Sequence, residues 1–185
     1  MRIVGGTFGG RKLASLGKGD PDAQLRPTSD RMRESLFNVL SARYSDQLDG
    51  ARVLDLFAGT GALGLEALSR GAEAAAFIET GRVALRVLRD NIRRCDVDDR
   101  ATVLSRDARR LGPVPATPFD LVFLDPPYGR RLGETALASA IAGGWIAPGA
   151  LIIWEEGGDV EPPAELDLQD ERRAGDSWLR IFAYG

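Results

Sequence analysis

The stretch Asp55-Leu56-Phe57-Ala58-Gly59-Thr60-Gly61-Ala62-Leu63-Gly64 has the residue types and spacing of a ligand-binding turn. It leaves an apolar run, and its glycines permit a tight turn and a close approach of backbone to a ligand. Gly59, Gly61 and Gly64 satisfy the dinucleotide pattern G-x-G-x-x-G, with Glu79 20 residues past Gly59, so a nicotinamide dehydrogenase is one reading. Asp55 favours another. A carboxylate just ahead of the glycine turn repels a pyrophosphate and suits a cationic ligand. S-adenosylmethionine is such a ligand, with a sulfonium, an ammonium and no phosphate. Glu79, at the end of the next apolar run, is placed to accept hydrogen bonds from two ribose hydroxyls. Asp107, in Arg106-Asp107-Ala108, is placed to meet an adenine amino group. The plainer alternative has Asp55 capping the turn, Glu79 solvated and Asp107 capping a helix.

A second constellation is Asp125-Pro126-Pro127-Tyr128. An exocyclic base amine is a poor nucleophile because its lone pair is delocalised into the ring. A carboxylate oxygen of Asp125 and the carbonyl of Pro126 can accept its two N–H bonds, turning the lone pair toward a methyl donor. The prolines hold that carbonyl in place and offer no competing N–H, and Tyr128 offers a flat face on which a base stacks. The alternative is a rigid turn leaving a sheet.

The elements that must position these residues alternate along the chain. Val53 to Phe57, Ala74 to Ile78, Ala101 to Leu104, Leu121 to Leu124 and Leu151 to Trp154 read as strands. Ala62 to Arg70, Arg82 to Cys95 and Glu134 to Ala142 read as helices between them. The Arg82–Cys95 helix is expected to bury Val83, Val87, Leu88 and Ile92. Apolar strands separated by helices predict a mostly parallel sheet with right-handed crossovers. Leu166 to Arg173 and Trp178 to Ala183, with Ala174-Gly175-Asp176 between, predict a closing antiparallel hairpin. The fold class is therefore a Rossmann-like α/β domain with a seven-stranded sheet. Ahead of it, residues 1 to 25 predict a small hairpin and a loop. Arg26-Pro27-Thr28-Ser29-Asp30, a proline with a choice of capping side chains, then announces a helix with Met32, Leu36, Val39 and Leu40 on its apolar face and Arg31 and Arg33 mainly outside it. The expected division is a basic extension over residues 1–45, packed on a core domain over 46–185.

The 185 residues suit one domain, and 44% hydrophobic with 28% charged residues is the balance of a globular protein. With Cys95 the single cysteine and no histidine, no zinc site is expected, and Ser-His and Cys-His mechanisms are excluded. The absence of an apolar signal core or a long apolar run makes the expected location cytoplasmic, with no membrane contact. Net charge is −3, yet residues 1 to 45 hold eight basic against four acidic residues. A phosphate chain meets that local density rather than the mean.

The two motifs together resemble the class I methyltransferases of exocyclic base amines. More specifically, Arg2-Ile3-Val4-Gly5-Gly6, Gly10-Arg11-Lys12-Leu13, the run Arg26-Pro27-Thr28-Ser29-Asp30-Arg31-Met32-Arg33-Glu34 and its continuation to Asn38, and Asp55 to Gly71 resemble the RsmD family. Its members are bacterial methyltransferases acting at guanine N2 of 16S ribosomal RNA. The resemblance implies that Asp55, Phe57, Gly59, Gly61, Glu79 and Asp107 hold S-adenosylmethionine, leaving S-adenosylhomocysteine as product. It further implies that Thr28 and Arg33, in the segment to Glu34, border the methionine end, and that Asp125, Pro126, Pro127 and Tyr128 hold the guanine. Arg2, Arg11, Lys12, Arg26 and Arg31 would grip RNA, with 16S rRNA or the small subunit as partner, a monomer as the working form and no metal. Two other readings stay open: an N6-adenine methyltransferase on RNA or DNA, and a non-catalytic RNA-binding ribosome assembly factor.

Overall fold

A computed structural model describes residues 1–17, 29–127 and 131–185, without the side chain of Ala174. Arg26, Thr28 and Tyr128, to which the sequence assigns roles, lie outside the described residues. Each of the expected strands and helices of the core is present. The strands are β1 (Arg52–Leu56), β2 (Ala74–Glu79), β3 (Ala101–Ser105), β4 (Phe119–Leu124), β5 (Ile146–Glu156), β6 (Leu166–Ala174) and β7 (Ser177–Tyr184). The helices are α1 (Asp30–Arg43), α2 (Ser45–Leu48), α3 (Ala62–Ser69), α4 (Arg82–Cys95) and α5 (Leu132–Ala142).

The seven strands form one sheet in the order β3-β2-β1-β4-β5-β7-β6. β1 to β5 run parallel, and β7 is antiparallel to both β5 and β6. That order matters for function. A dinucleotide-binding Rossmann sheet runs 3-2-1-4-5-6, whereas here an antiparallel strand is inserted beside β5, which separates this sheet from a nicotinamide dehydrogenase. Val53, Leu54 and Leu56 of β1 are buried on both faces, as the central strand of a parallel sheet must be.

The N-terminal arm reduces to a single antiparallel bridge, Arg2 with Lys12, flanked by hydrogen bonds from Ile3 N–H to the Arg11 carbonyl and from Leu13 N–H to the Met1 carbonyl. It is nonetheless built into the core. Ile3, Leu36, Phe37 and Leu40 share one apolar cluster with Val53, Leu65 and Phe123. Among the capping side chains that the sequence offers, Ser29 is the one that caps α1, accepting the Met32 N–H at 3.2 Å. The buried face of α1 differs from the expected one: it is Arg33, Leu36, Phe37 and Leu40, with Met32 and Val39 only half-buried. α4 likewise turns Ala84, Leu85, Leu88, Asn91, Ile92 and Cys95 inward and leaves Val83 and Val87 half-buried. β5 begins five residues before the expected Leu151, because Pro148-Gly149 sits within a strand rather than ending one.

The arm is fastened to α3 by a carboxylate without solvent exposure. Glu66 Oε2 accepts the Val4 N–H at 2.8 Å, and Oε1 accepts the Gly5 N–H at 2.9 Å and the Arg70 Nε–H at 2.8 Å. Arg70 in turn lies over the Phe37 ring, 5.3 Å from its centroid, joining α1 to the same assembly. Removing that carboxylate strands two backbone donors and a guanidinium. Glu66→Ala is expected to cost about 3–5 kcal/mol, seen as a midpoint lowered by roughly 6–20 °C in a thermal melt. A change below about 1 kcal/mol in denaturant unfolding would contradict this account.

Candidate active site

All the strand-end candidates gather at the carboxyl edge of the sheet, the edge on which open α/β folds place ligands. Leu56 is level with Ile78 of β2 and Leu124 of β4, and Glu79 is level with Ser105. The next residues, Phe57, Glu79 and Asp125, therefore form a row across three adjacent strands, with Asp107 just past β3. Strand spacing puts Glu79 and Asp125 about 10 Å apart across β1, an extended small molecule's length.

The glycine loop is a shaped backbone surface. Phe57 takes a positive φ of 64°, Gly59 54° and Gly61 80°. Left-handed backbone at a bulky residue such as Phe57 stores strain that the surrounding structure must hold. A Cβ at Gly59 would meet only the Phe57 carbonyl, 3.9 Å away, so the loop is open there to a ligand's close approach. At Gly61 a Cβ would come 2.4 Å from Leu88 Cδ1, so that glycine is required from beneath by packing.

Asp55 is 2% exposed and its Oδ2 accepts the Gly64 N–H at 3.0 Å. Burial pushes its carboxyl from 3.8 up to about 7, opposed by the Gly64 hydrogen bond and aided by the negative charge of Glu79. It caps the first turn of α3 and forms the floor beneath the loop. Glu79 is half-buried with both oxygens engaged: Oε2 accepts the Gly59 N–H at 2.8 Å, while Oε1 accepts those of Thr80 and Gly81, each at 2.7 Å. Asp107 accepts the Arg109 N–H at 2.9 Å and takes both arms of the Arg109 guanidinium. Arg109 holds the Asp107 carboxyl below the ordinary carboxylate range. The capping and ligand-holding readings are thus compatible, since each carboxylate oxygen accepts more than one hydrogen bond.

Asp125 is half-buried, Pro126 buried and Pro127 half-buried at the end of β4. Arg33 departs from expectation. It is fully buried rather than on the outer face of α1, and its guanidinium donates to Asp30 Oδ1 at 2.7 Å and to the Arg2 carbonyl. These bonds tie the arm to α1. Arg2, Arg11, Lys12 and Arg31 are exposed. Arg2 pairs with Asp30 at 3.7 Å, and Arg11 donates to the Arg94 carbonyl at 2.9 Å while lying over Phe8. A separate hollow of about 220 Å³ among Asp46, Asp49, Asp120 and Pro148 lies at the opposite, amino edge of the sheet.

Sequence reasoning missed Glu66 and Asn91, two polar side chains with no solvent exposure. The available signal was position: Asn91 lies between Leu88 and Ile92 on the apolar stripe of α4, where a solvated residue does not belong.

The raised Asp55 carboxyl makes stability depend on pH. The folded chain holds this proton between pH 4 and 7 while the unfolded chain has released it, so stability falls as pH rises through that window. The loss approaches ~4 kcal/mol for a three-unit shift. Asp55→Asn, which keeps an acceptor for Gly64, is expected to flatten this slope in unfolding titrations at pH 4.5, 6 and 8. An unchanged slope would place the ionisation elsewhere.

Comparison with known proteins gives the same architecture and a family. The family described as conserved hypothetical protein 95 matches residues 1–183. Ribosomal RNA small subunit methyltransferase D of Escherichia coli K12 is 40% identical over 186 residues, covering 98% of this chain and 89% of the relative. The Haemophilus influenzae protein of the same name is 35% identical, covering 98% and 93%. The solved structure of Escherichia coli yhhF superposes with a TM-score of 0.83 at 38% identity over 100% of this chain and 97% of its own. The fold is that of the class I methyltransferases, and the chain belongs to the conserved hypothetical protein 95 family, the RsmD family that its sequence resembles.

Proposed function

We propose that this protein transfers a methyl group from S-adenosylmethionine to the exocyclic N2 amine of a guanine in small-subunit ribosomal RNA. The observation that carries the reading is the row of acids at the carboxyl ends of β1 to β4, Asp55, Glu79, Asp107 and Asp125, on a sheet with an antiparallel β7. The names of the 35–40% identical relatives support ribosomal RNA as the acceptor. The extension to residue 45, packed on the core, supplies the exposed basic residues for RNA.

The open backbone at Gly59 and the acids around it fit the cofactor. Glu79 and Asp107 would receive the ribose hydroxyls and the adenine amine, Phe57 would border the adenosine, and Asp55 would lie beneath the cationic end. When bound, the cofactor supplies an electrophilic methyl group already activated by its sulfonium. The chain then has to orient a nucleophile and exclude water. Asp125 and the Pro126 carbonyl accept the two N–H bonds of the incoming amine and aim its lone pair. Pro126 and Pro127 keep that carbonyl fixed. The nitrogen is cationic after transfer and sheds its proton to Asp125 or water, so no histidine is needed. The target base must leave its stack to reach this depth, as for other enzymes that act on bases.

The direct experiment is incubation with methyl-labelled cofactor and separate pools of ribosomal RNA, small subunits and DNA, followed by nucleoside analysis. Label in N2-methylguanosine supports the reading, and label in N6-methyladenine or in DNA replaces it. Asp125→Ala is expected to lower the transfer rate by about 10²-fold or more with cofactor affinity within a few-fold of wild type. Equal losses in rate and affinity would remove Asp125 from amine orientation. Lys12→Ala with Arg31→Ala is expected to weaken RNA binding and reduce the slope of log K against log salt by about 1.4–1.8, leaving cofactor affinity unaltered. An unaltered slope would move the RNA surface elsewhere.

A further inference from the structure

We propose that Asn91 is a positioning residue that locks the cofactor loop to the N-terminal arm, so that RNA held on the arm and cofactor held on the loop strengthen each other's binding. The proposal rests on the reading above for what occupies the two places. Its geometry is independent of that reading.

Asn91 has no solvent exposure and stands on α4 one turn after Leu88. Its Oδ1 accepts the Ala14 N–H at 2.7 Å, and its Nδ2 donates to the Ala14 carbonyl at 3.1 Å and to the Thr60 carbonyl at 2.9 Å. The side-chain amide therefore pairs with both backbone groups of Ala14 as a neighbouring strand would, and gives its second N–H to the cofactor loop. An amide has one acceptor group and two N–H bonds, and all of them are used. No other side chain of this size supplies that set. Aspartate brings oxygen against two carbonyl oxygens, and leucine leaves three part-buried backbone groups without this partner.

The held carbonyl belongs to the peptide between Thr60 and Gly61, a planar unit. Its other end, the Gly61 N–H, donates to the Ala58 carbonyl at 2.7 Å. The plane is thus pinned at both ends inside the turn that has positive φ at Gly59 and Gly61. Leu88, on the same face of α4, fills the space under Gly61. On the other side, Ala14 follows the Arg2–Lys12 bridge and the buried Leu13. A second contact repeats the link, with the Thr60 hydroxyl donating to Met1 Sδ at 3.7 Å. The arm and the loop therefore share the cost of coming apart. An undocked arm deprives Asn91 and Glu66 of these partners, and anything that favours the docked arm also favours the shaped loop. Such coupling is reciprocal by thermodynamic necessity.

The test measures cofactor affinity with and without small-subunit ribosomal RNA for wild type, Asn91→Asp and Asn91→Ala, alongside thermal melts. Wild type is expected to bind cofactor at least about 5-fold more tightly with RNA present. The variants should bring that ratio to near 1 while still binding RNA. A wild-type ratio of 1, or a folded variant that keeps the wild-type ratio, overturns the proposal. Should both variants fail to fold, amide hydrogen exchange of the wild type decides. Added S-adenosylmethionine should slow exchange at Ala14, outside the loop, and an unchanged rate there overturns the proposal. Absence of methyl transfer to RNA by the wild type would instead defeat the functional reading, leaving the Ala14 response as the test of the lock.

Discussion

The turn from β1 into α3 hangs on a carboxylate that the fold takes out of water. Asp55 accepts the Gly64 N–H at the start of α3 and in doing so sets the height of the intervening loop above the sheet. Burying a carboxyl this deeply carries an electrostatic penalty, visible in how far it is pushed toward the protonated form. A cationic ligand above it offsets that penalty, whereas a phosphate would add to it. The same device recurs twice. Glu79 gathers three backbone N–H groups at the end of β2, and Glu66 gathers two from the arm. Irregular backbone near a buried site needs acceptors for its donors, and Asp55, Glu79 and Glu66 are among the acids that supply them.

Charge is distributed to match. The chain is net acidic, but acids with structural duties lie inward or at the strand ends while Arg2, Arg11, Lys12 and Arg31 face solvent on the arm and α1. A polyanion approaching the arm meets the exposed cations rather than the average. The glycine loop is joined to the arm through one side chain, Asn91, which bonds both Ala14 and Thr60.

The parts of the fold that follow from periodicity and punctuation were legible in the sequence. α4 has the expected bounds, α3 stops at Ser69 just ahead of Gly71 with its φ of 110°, and the hairpin of β6 and β7 turns at Gly175 as its glycine suggests. The acids at the strand ends could be read because strands end where apolar runs end. What stayed hidden depends on partners distant in sequence. Arg33 reads as a solvent-facing charge until Asp30 and the Arg2 carbonyl close around it. Asn91 takes its meaning from Ala14, 77 residues away, and from Thr60, 31 residues away. The length of β5 was obscured because Pro148-Gly149 is ordinarily a breaker, and here the register with β4 shifts to accommodate it.

β6, one of the two edge strands of the sheet, has a neighbour on one side only. An open strand of nine residues is a template on which another chain could pair, and repeated pairing leads to fibrils. Along this border run Asp167, Asp170, Glu171, Arg172 and Arg173, and the register with β7 breaks between Leu168 and Asp170. Charges of both signs and an irregular backbone make a poor seed for stacking, even with Leu168 54% exposed among them. The mixed charges and the broken register of β6 thus oppose the edge-to-edge pairing that a smooth, apolar border would favour.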